Sequence, residues 1–464
     1  MMGRVSAPIN RRPAGAAPIV AALVAGVLLL TDACSVAVPG IARPAASQPA
    51  APATAALAAQ SDPAGRVAEA TAAAVQEFWR AEFPTAFGRE WRDVSTFAAV
   101  STADPGAPPP PCVNRAADVA GQAFYCPDAD VVAWDADGLI PELHERFGPV
   151  GVAVVIAHEV GHAVQSRLGL DAEQGRDPQR FPTILLESMA DCYAGAALAR
   201  FAEQPVAGLP LGPAERDQAM LALVGFRDPL GVEAGDAAAH GNAFDRVTAF
   251  QDGWTEGASL CAGMSVENRT FTQRRFASET DLAQGGNLPM RALLEFVERD
   301  AMEFFGGLAP GWQPPELSTG GACPVDKLEA QGPAAYCRDD GGVAVDVAAL
   351  EQLHGAVGDF AGATLVAARY GIAMLDATGE SPVGRPAGES ATCLAGAYTG
   401  RLFGATSGFR LSPGDLDEAV QVLLLEDWVA RDAAGASNRA DRGFERVDRF
   451  RIGLLDGPAA CQGG

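Results

Sequence analysis

The chain has 464 residues, of which 48% are hydrophobic and 20% charged, and a net charge of −24. That length exceeds the need of one ordinary domain, and the apolar content supports a packed core rather than a disordered chain. The excess of Asp and Glu argues against nucleic acid as a partner, because phosphate binding wants a basic surface.

Residues 1–34 have the layout of an export signal or membrane anchor. Arg4, Arg11 and Arg12 precede the apolar run Ala14–Leu30, and Asp32 closes it. Leu30-Thr31-Asp32-Ala33-Cys34 resembles a bacterial lipobox, in which Cys34 is the lipidated residue, although Thr31 and Asp32 depart from that pattern. The alternative is an uncleaved anchor helix with its positive end inside. Either arrangement places Ser35 onward outside the cytoplasm, in the cell envelope and tethered to the membrane. Residues 35–65 are Ala/Pro-rich and read as a linker.

Beyond the linker, Gly65–Phe83 is predicted helical, with Val67, Val75, Phe78 and Trp79 on one apolar face. Ala123–Tyr125 and Val131–Trp134 are predicted strands. Ile140–Phe147, Pro149–Leu168, Thr183–Phe201, Pro213–Val224 and Gly241–Glu256 are predicted helices. The expected class is α+β, predominantly helical with a small sheet. The strand Val131–Trp134 is expected to pair with an extended peptide, since edge pairing holds a backbone without reading its sequence.

The same landmarks then return in order. Cys112, Phe124-Tyr125-Cys126 and Asp135 reappear as Cys323, Ala335-Tyr336-Cys337 and Asp346; Leu143-His144 reappears as Leu353-His354. Cys192 and Gly195 match Cys393 and Gly396, while Phe244, Arg246, Phe250, Gly253 and Cys261 match Phe444, Arg446, Phe450, Gly453 and Cys461. This predicts two tandem homologous domains, 66–264 and 268–464, each of ordinary size. If the copies share a topology, cysteines pair within each copy. The expected set is Cys112–Cys126 and Cys192–Cys261, mirrored by Cys323–Cys337 and Cys393–Cys461, in a compartment that permits disulfides. The alternative is reduced core thiols.

The chemistry concentrates in His158-Glu159-Val160-Gly161-His162. Following the apolar run Val152–Ala157, it reads as a helix with two imidazoles one turn apart, able to share one metal ion. Gly161 permits another backbone to come close. Further on, Glu187 completes a His₂Glu zinc set, and Asp191, one turn later, is placed to hold the outer nitrogen of a ligating imidazole.

The string Ala157–Gln165, with Glu187-Ser188-Met189-Ala190-Asp191-Cys192-Tyr193-Ala194-Gly195, resembles the bacterial neutral zinc metallopeptidases, as do Phe124-Tyr125-Cys126-Pro127 and His240-Gly241. The resemblance implies a zincin-like fold of the Glu-zincin type, one zinc ion on His158, His162 and Glu187, Glu159 as the catalytic carboxylate, and an N-terminal membrane segment.

The second copy is an internal control. Aligning Val154–Gln165 with Thr364–Leu375 sets Ala368 opposite His158, Arg369 opposite Glu159 and Ile372 opposite His162; Thr392 faces Asp191. That copy is expected to bind no zinc. His144 keeps a counterpart, His354, in the metal-free copy and is therefore expected to be structural. His240, facing Ala440, disappears together with the ligands and is a candidate for stabilising an oxyanion or donating a proton. Tyr193, facing Leu394, is a weaker candidate for the same role, and Trp134 is expected to pack. The function expected is hydrolysis of peptide bonds by a zinc-activated water with Glu159 as general base. The rival is a non-catalytic surface binding or scaffolding protein with a structural or vestigial zinc. A peptide or protein is the expected substrate, and the sequence carries no signal for oligomeric state.

Overall fold

The computed structural model describes residues 62–461, apart from 321, 322, 340, 341, 407, 439 and 441. The expected signal or anchor segment 1–34, Cys34 and the linker up to residue 61 lie outside the described residues. Among the described residues, no helix is long and apolar enough to cross a membrane.

Helix α1 (Pro63–Phe87) starts within the stretch assigned to the linker, where the Asp62 carboxylate accepts the Ala64 N–H and Pro63 occupies the first turn. It buries Val67, Val75, Phe78, Trp79 and Phe83. Strand β1 (Thr96–Val100) was not expected: its half-exposed residues alternate too weakly to stand out. Strands β2 (Ala123–Cys126) and β3 (Val131–Asp135) are fully buried. The sheet order is β1-β3-β2, with β1 parallel and β2 antiparallel to β3. The expected pairing of Val131–Trp134 with a substrate therefore fails, because β3 is the central strand and both of its edges are already hydrogen-bonded. Trp134, 2% exposed, packs as expected.

Helices α2 (Leu139–Phe147), α3 (Pro149–Leu168), α4 (Leu170–Arg176), α5 (Thr183–Glu203), α6 (Pro213–Gly225), α7 (Ala243–Glu256) and α8 (Ala258–Ala262) follow. Every residue of α3 from Val150 to Gly161 is buried, as expected of a helix that is apolar on all sides. It is the central helix of this half and lies against α1, α2, α5 and α6. Helix α5 packs in turn on α7 at very short range: a Cβ on Gly253 would stand 1.7 Å from the Cys192 carbonyl oxygen.

The second half repeats this plan. After α9 (Glu279–Ala283) come α10 (Met290–Leu308), β4 (Leu317–Ser318), α11 (Val325–Gln331), β5 (Ala334–Cys337), β6 (Gly342–Val345), α12 (Val347–Ala356), α13 (Asp359–Ala377), α14 (Arg385–Phe403), α15 (Asp415–Leu425) and α16 (Gly443–Asp456). Its sheet has the order β4-β6-β5 with the same mixture of parallel and antiparallel pairs, and Ala335 opposes Ala344 as Phe124 opposes Ala133. All four expected cysteine pairs are joined, with Cα separations of 6.0, 5.6, 5.7 and 5.4 Å in chain order.

The halves are not separate bodies. One hydrophobic core runs through both, and α6 and α7 pack against α15 and α16. Polar contacts across this junction are reciprocal. Asp217 on α6 accepts the Gly443 and Phe444 N–H groups that open α16, both at 3.0 Å. Asp417 on α15 accepts the Ala243 N–H that opens α7, at 2.8 Å. Such an exchange of equivalent contacts is the mark of a two-fold interface, here built within one chain.

Candidate metal centre

The site is assembled from α3 and α5. Gly161 allows their backbones to meet, since a Cβ there would lie 2.9 Å from Ala190 Cα. At that distance His158 and His162, one turn apart on α3, face Glu187 and Asp191, one turn apart on α5. His158 Nε2 lies 3.2 Å from His162 Nε2 and 3.2 Å from Glu187 Oε2, and His162 Nε2 lies 3.5 Å from Glu187 Oε1.

Hydrogen bonds around the rings settle the tautomers. His158 donates Nδ1–H to Asp191 Oδ1 at 2.8 Å. Gln165 donates its amide N–H to the Leu186 carbonyl, which turns Gln165 Oε1 toward His162 Nδ1 at 3.0 Å and fixes that nitrogen as the donor. In the neutral rings both Nε2 atoms then carry lone pairs, and these point at each other beside a carboxylate. Such an arrangement is repulsive unless positive charge, a metal ion or a proton on His158, lies among the three groups. Donor atoms about 2.0–2.1 Å from a tetrahedral zinc stand roughly 3.3 Å apart, which is the spacing observed. The residues present therefore fit the ion.

The electrostatics agree. Burial disfavours the His158 imidazolium, but the charge and hydrogen bond of Asp191, with Glu187 behind them, push its pKa up to about 10. Burial also works against ionised Glu187, yet the neighbouring His162 and His158, and then His240, hold it well below the usual carboxylate range. Asp191 is wholly buried and is lowered by Arg246 and His158 against the cost of its burial. The pocket favours positive charge.

Glu159 lies beside this cluster at 0% exposure, and among the described residues neither carboxylate oxygen has a hydrogen-bond partner. Burial raises its pKa; the two histidines oppose the rise, and the Glu187 charge adds to it. A buried carboxylate without partners is costly, so its presence calls for a chemical reason. His162 is the most open of the four, its side chain 12% exposed.

His240 is also brought here. Its Nδ1 lies 3.2 Å from Asp228 Oδ1, Asp228 Oδ2 accepts the His240 and Gly241 N–H groups, and its charge reaches Glu187. Tyr193 is placed elsewhere: its ring packs edge-on against Trp79 and Phe87 of the α1 core, and among the described residues its buried hydroxyl has no hydrogen-bond partner. Lying six residues after Glu187, it leaves α5 on a different face from Glu187 and Asp191. His354 is structural, bonding the Leu288 carbonyl at 2.8 Å through Nε2.

Three partners were missed in the sequence. Arg246 of α7 grips Asp191 with Nε and Nη2 at 3.0 and 2.9 Å and donates Nη1 to the Phe226 carbonyl at 2.9 Å. Its recurrence as Arg446 made it look like scaffold. Gln165 faces Leu375 in the repeat and so vanishes with the ligands, a signal that was available. Asp228 sits in a loop and carried no signal.

In the second half, Arg369 fills the place of Glu159. Buried throughout, its guanidinium is given over to the carbonyls of Arg431, Trp428 and Gln331, and burial pulls its pKa down to about 9. Thr392, opposite Asp191, bonds back to Gly388 within its own helix.

Comparisons with known proteins point the same way. The family model described as "Putative neutral zinc metallopeptidase" matches residues 5–262, more than half of the chain, and its match ends with α8. Uncharacterized proteins of Mycobacterium bovis and Mycobacterium tuberculosis are 36% identical over 94 residues, which is 19% of this chain and 32% of each relative. The chain thus spans about a third of the length of the curated relatives it matches. No solved structure matches it. With a family model that spans the whole of the α3–α5 site, the chain belongs to the neutral zinc metallopeptidase family.

Proposed function

We propose that the chain is a zinc-dependent peptidase of the Glu-zincin type, exported and tethered to the membrane by its N-terminal segment. The observation that carries this reading is the convergence of two bare imidazole nitrogens and the Glu187 carboxylate beside a buried, unpartnered Glu159. Four disulfides and the composition of residues 1–34 support an envelope location.

His158, His162 and Glu187 would hold the zinc, which when bound supplies the Lewis acid that polarises the scissile carbonyl and acidifies water. Glu159 takes the proton of the attacking water as its oxygen adds to the carbonyl carbon. It then returns that proton to the amine nitrogen as the C–N bond breaks. His240, oriented through Nδ1 by Asp228, would donate to the oxyanion that develops. Asp191 and Gln165 keep the ligating rings in one tautomer and one orientation. The strand whose backbone approaches Glu159 is β2 rather than β3. The second half is a degenerate, metal-free copy of the domain. A scaffold with a structural zinc has no use for Glu159, which argues against that rival.

Glu159→Gln should retain zinc and lose cleavage of a peptide library, while His162→Ala should lose the zinc as well. Hydrolysis that persists in Glu159→Gln at the wild-type rate would remove the mechanism.

A further inference from the structure

The reciprocal contact between the halves has unequal consequences on its two sides. Asp417, 2% exposed, binds the first N–H of α7 and also faces Arg227, whose Nε lies 3.2 Å from Asp417 Oδ2. Arg246 leaves α7 one turn from that first residue and reaches Asp191, which in turn holds His158. Arg227 adjoins both Phe226, whose carbonyl anchors Arg246, and Asp228, which anchors His240. A single carboxylate of the metal-free half therefore holds the backbone of one, and pairs with a side chain of the other, of the two segments from which the outer partners of the site reach inward.

Asp217 makes the equivalent clamp on α16, but among the described residues no candidate ligand lies beyond it. Arg446 turns to the carbonyls of Leu423 and Leu424, and Thr392 and Ala368 stand where an Asp191–His158 pair would be needed. Both clamps are equally structural, and only one leads to a candidate ligand.

The geometry points to Asp417 as a positioning residue through which the second half sets the metal affinity of the first. This inference rests on the zinc reading above. It gives the degenerate copy a function that explains its retention of fold without ligands: it is a built-in partner subunit holding α7 in register with α3 and α5.

The test compares Asp417→Asn with Asp217→Asn in the full chain. Both substitutions remove one buried charge from equivalent places in the junction, so a merely structural role predicts the same lowering of Tm and no difference in zinc binding. Positioning predicts that Asp417→Asn weakens zinc, measured by competition with a chromophoric chelator, by about tenfold, as loss of outer-shell partners does, while Asp217→Asn leaves it unchanged. In the metal-free protein, hydrogen exchange of the Ala243–Val247 segment should quicken in Asp417→Asn alone. Should Asp417→Asn not fold, Ala243→Pro removes the same donor from the other side, at a helix position that accepts proline, and should weaken zinc likewise. Equal zinc affinities in the two Asp variants, or equal losses, overturn the proposal. A wild-type chain that binds no zinc refutes the metal reading instead, and the exchange contrast then judges the clamp alone.

Discussion

Asp191 is the residue on which the site's electrostatics turn, and Asp191→Asn puts that to a quantitative test. The carboxylate is fully buried and takes three charge-assisted hydrogen bonds: His158 Nδ1–H at 2.8 Å and Arg246 Nη2–H at 2.9 Å on Oδ1, and Arg246 Nε–H at 3.0 Å on Oδ2. Asn conserves the shape. Its oxygen can keep one side of this set, but its amide N–H₂ then opposes a donor on the other, and Arg246, 3% exposed, loses its paired carboxylate and keeps only the more distant charges of Glu187 and Asp228. Breaking a buried pair in this way costs about 3–5 kcal/mol. Loss of the charge behind His158 should also weaken zinc by about 10–100-fold. Urea unfolding of the metal-free protein measures the first effect and chelator competition the second, so the stability loss and the affinity loss are read independently. A variant that loses less than about 1 kcal/mol and binds zinc as tightly as wild type would refute the role assigned to Asp191. The second half shows what relief requires: with Thr392 at that position, Arg446 has been redirected to backbone carbonyls.

Further outcomes follow from other parts of the fold. Replacing Cys192 and Cys261 by Ser opens a bridge across 69 residues of sequence, and in the loop-entropy model should cost about 4 kcal/mol, read as a lowered midpoint in urea; an unchanged midpoint would show that the bridge adds nothing to stability. At the start of α13, Asp359, Asp415 and Glu418 lie together and buried, with Arg274, His354 and Asp417 facing them. Burial and, for Glu418, the nearby Asp359 charge raise Asp359 to about 6 and Glu418 to about 8, and burial and these neighbours raise Asp415 well above its ordinary value. Because the folded chain holds these protons more tightly than the unfolded one, the stability they contribute is full below about pH 4 and is lost as the pH rises through 6 and 8. Glu418→Gln, which installs the residue found at the equivalent Gln218 and can still accept the Phe360 N–H, should flatten that decline by on the order of 2 kcal/mol. Melting curves recorded across that range check it, and a decline as steep as that of wild type would contradict it.

The parts of this protein legible in one dimension are those where covalent geometry does the work. A one-turn spacing puts His158 with His162, and Glu187 with Asp191, on common helix faces whatever surrounds them, so both pairs could be read before any packing was known. The repeat was legible because a shared fold preserves landmarks such as Gly253 and Gly453, where close helix contact leaves no room for a side chain. Disulfide pairing then followed from the repeat. Other features depend on which distant segments meet. That β3 is central rather than an edge is decided by β1, a strand too weakly patterned to announce itself. That Tyr193 packs into the α1 core, that Arg246 and Asp228 hold the rings of the site, and that Asp417 of the second half grips α7 are outcomes of three-dimensional packing. Periodicity tells which face of a helix is buried, but the partner of a buried charge is whatever group the rest of the chain carries to within hydrogen-bond distance, and only the tertiary structure decides that.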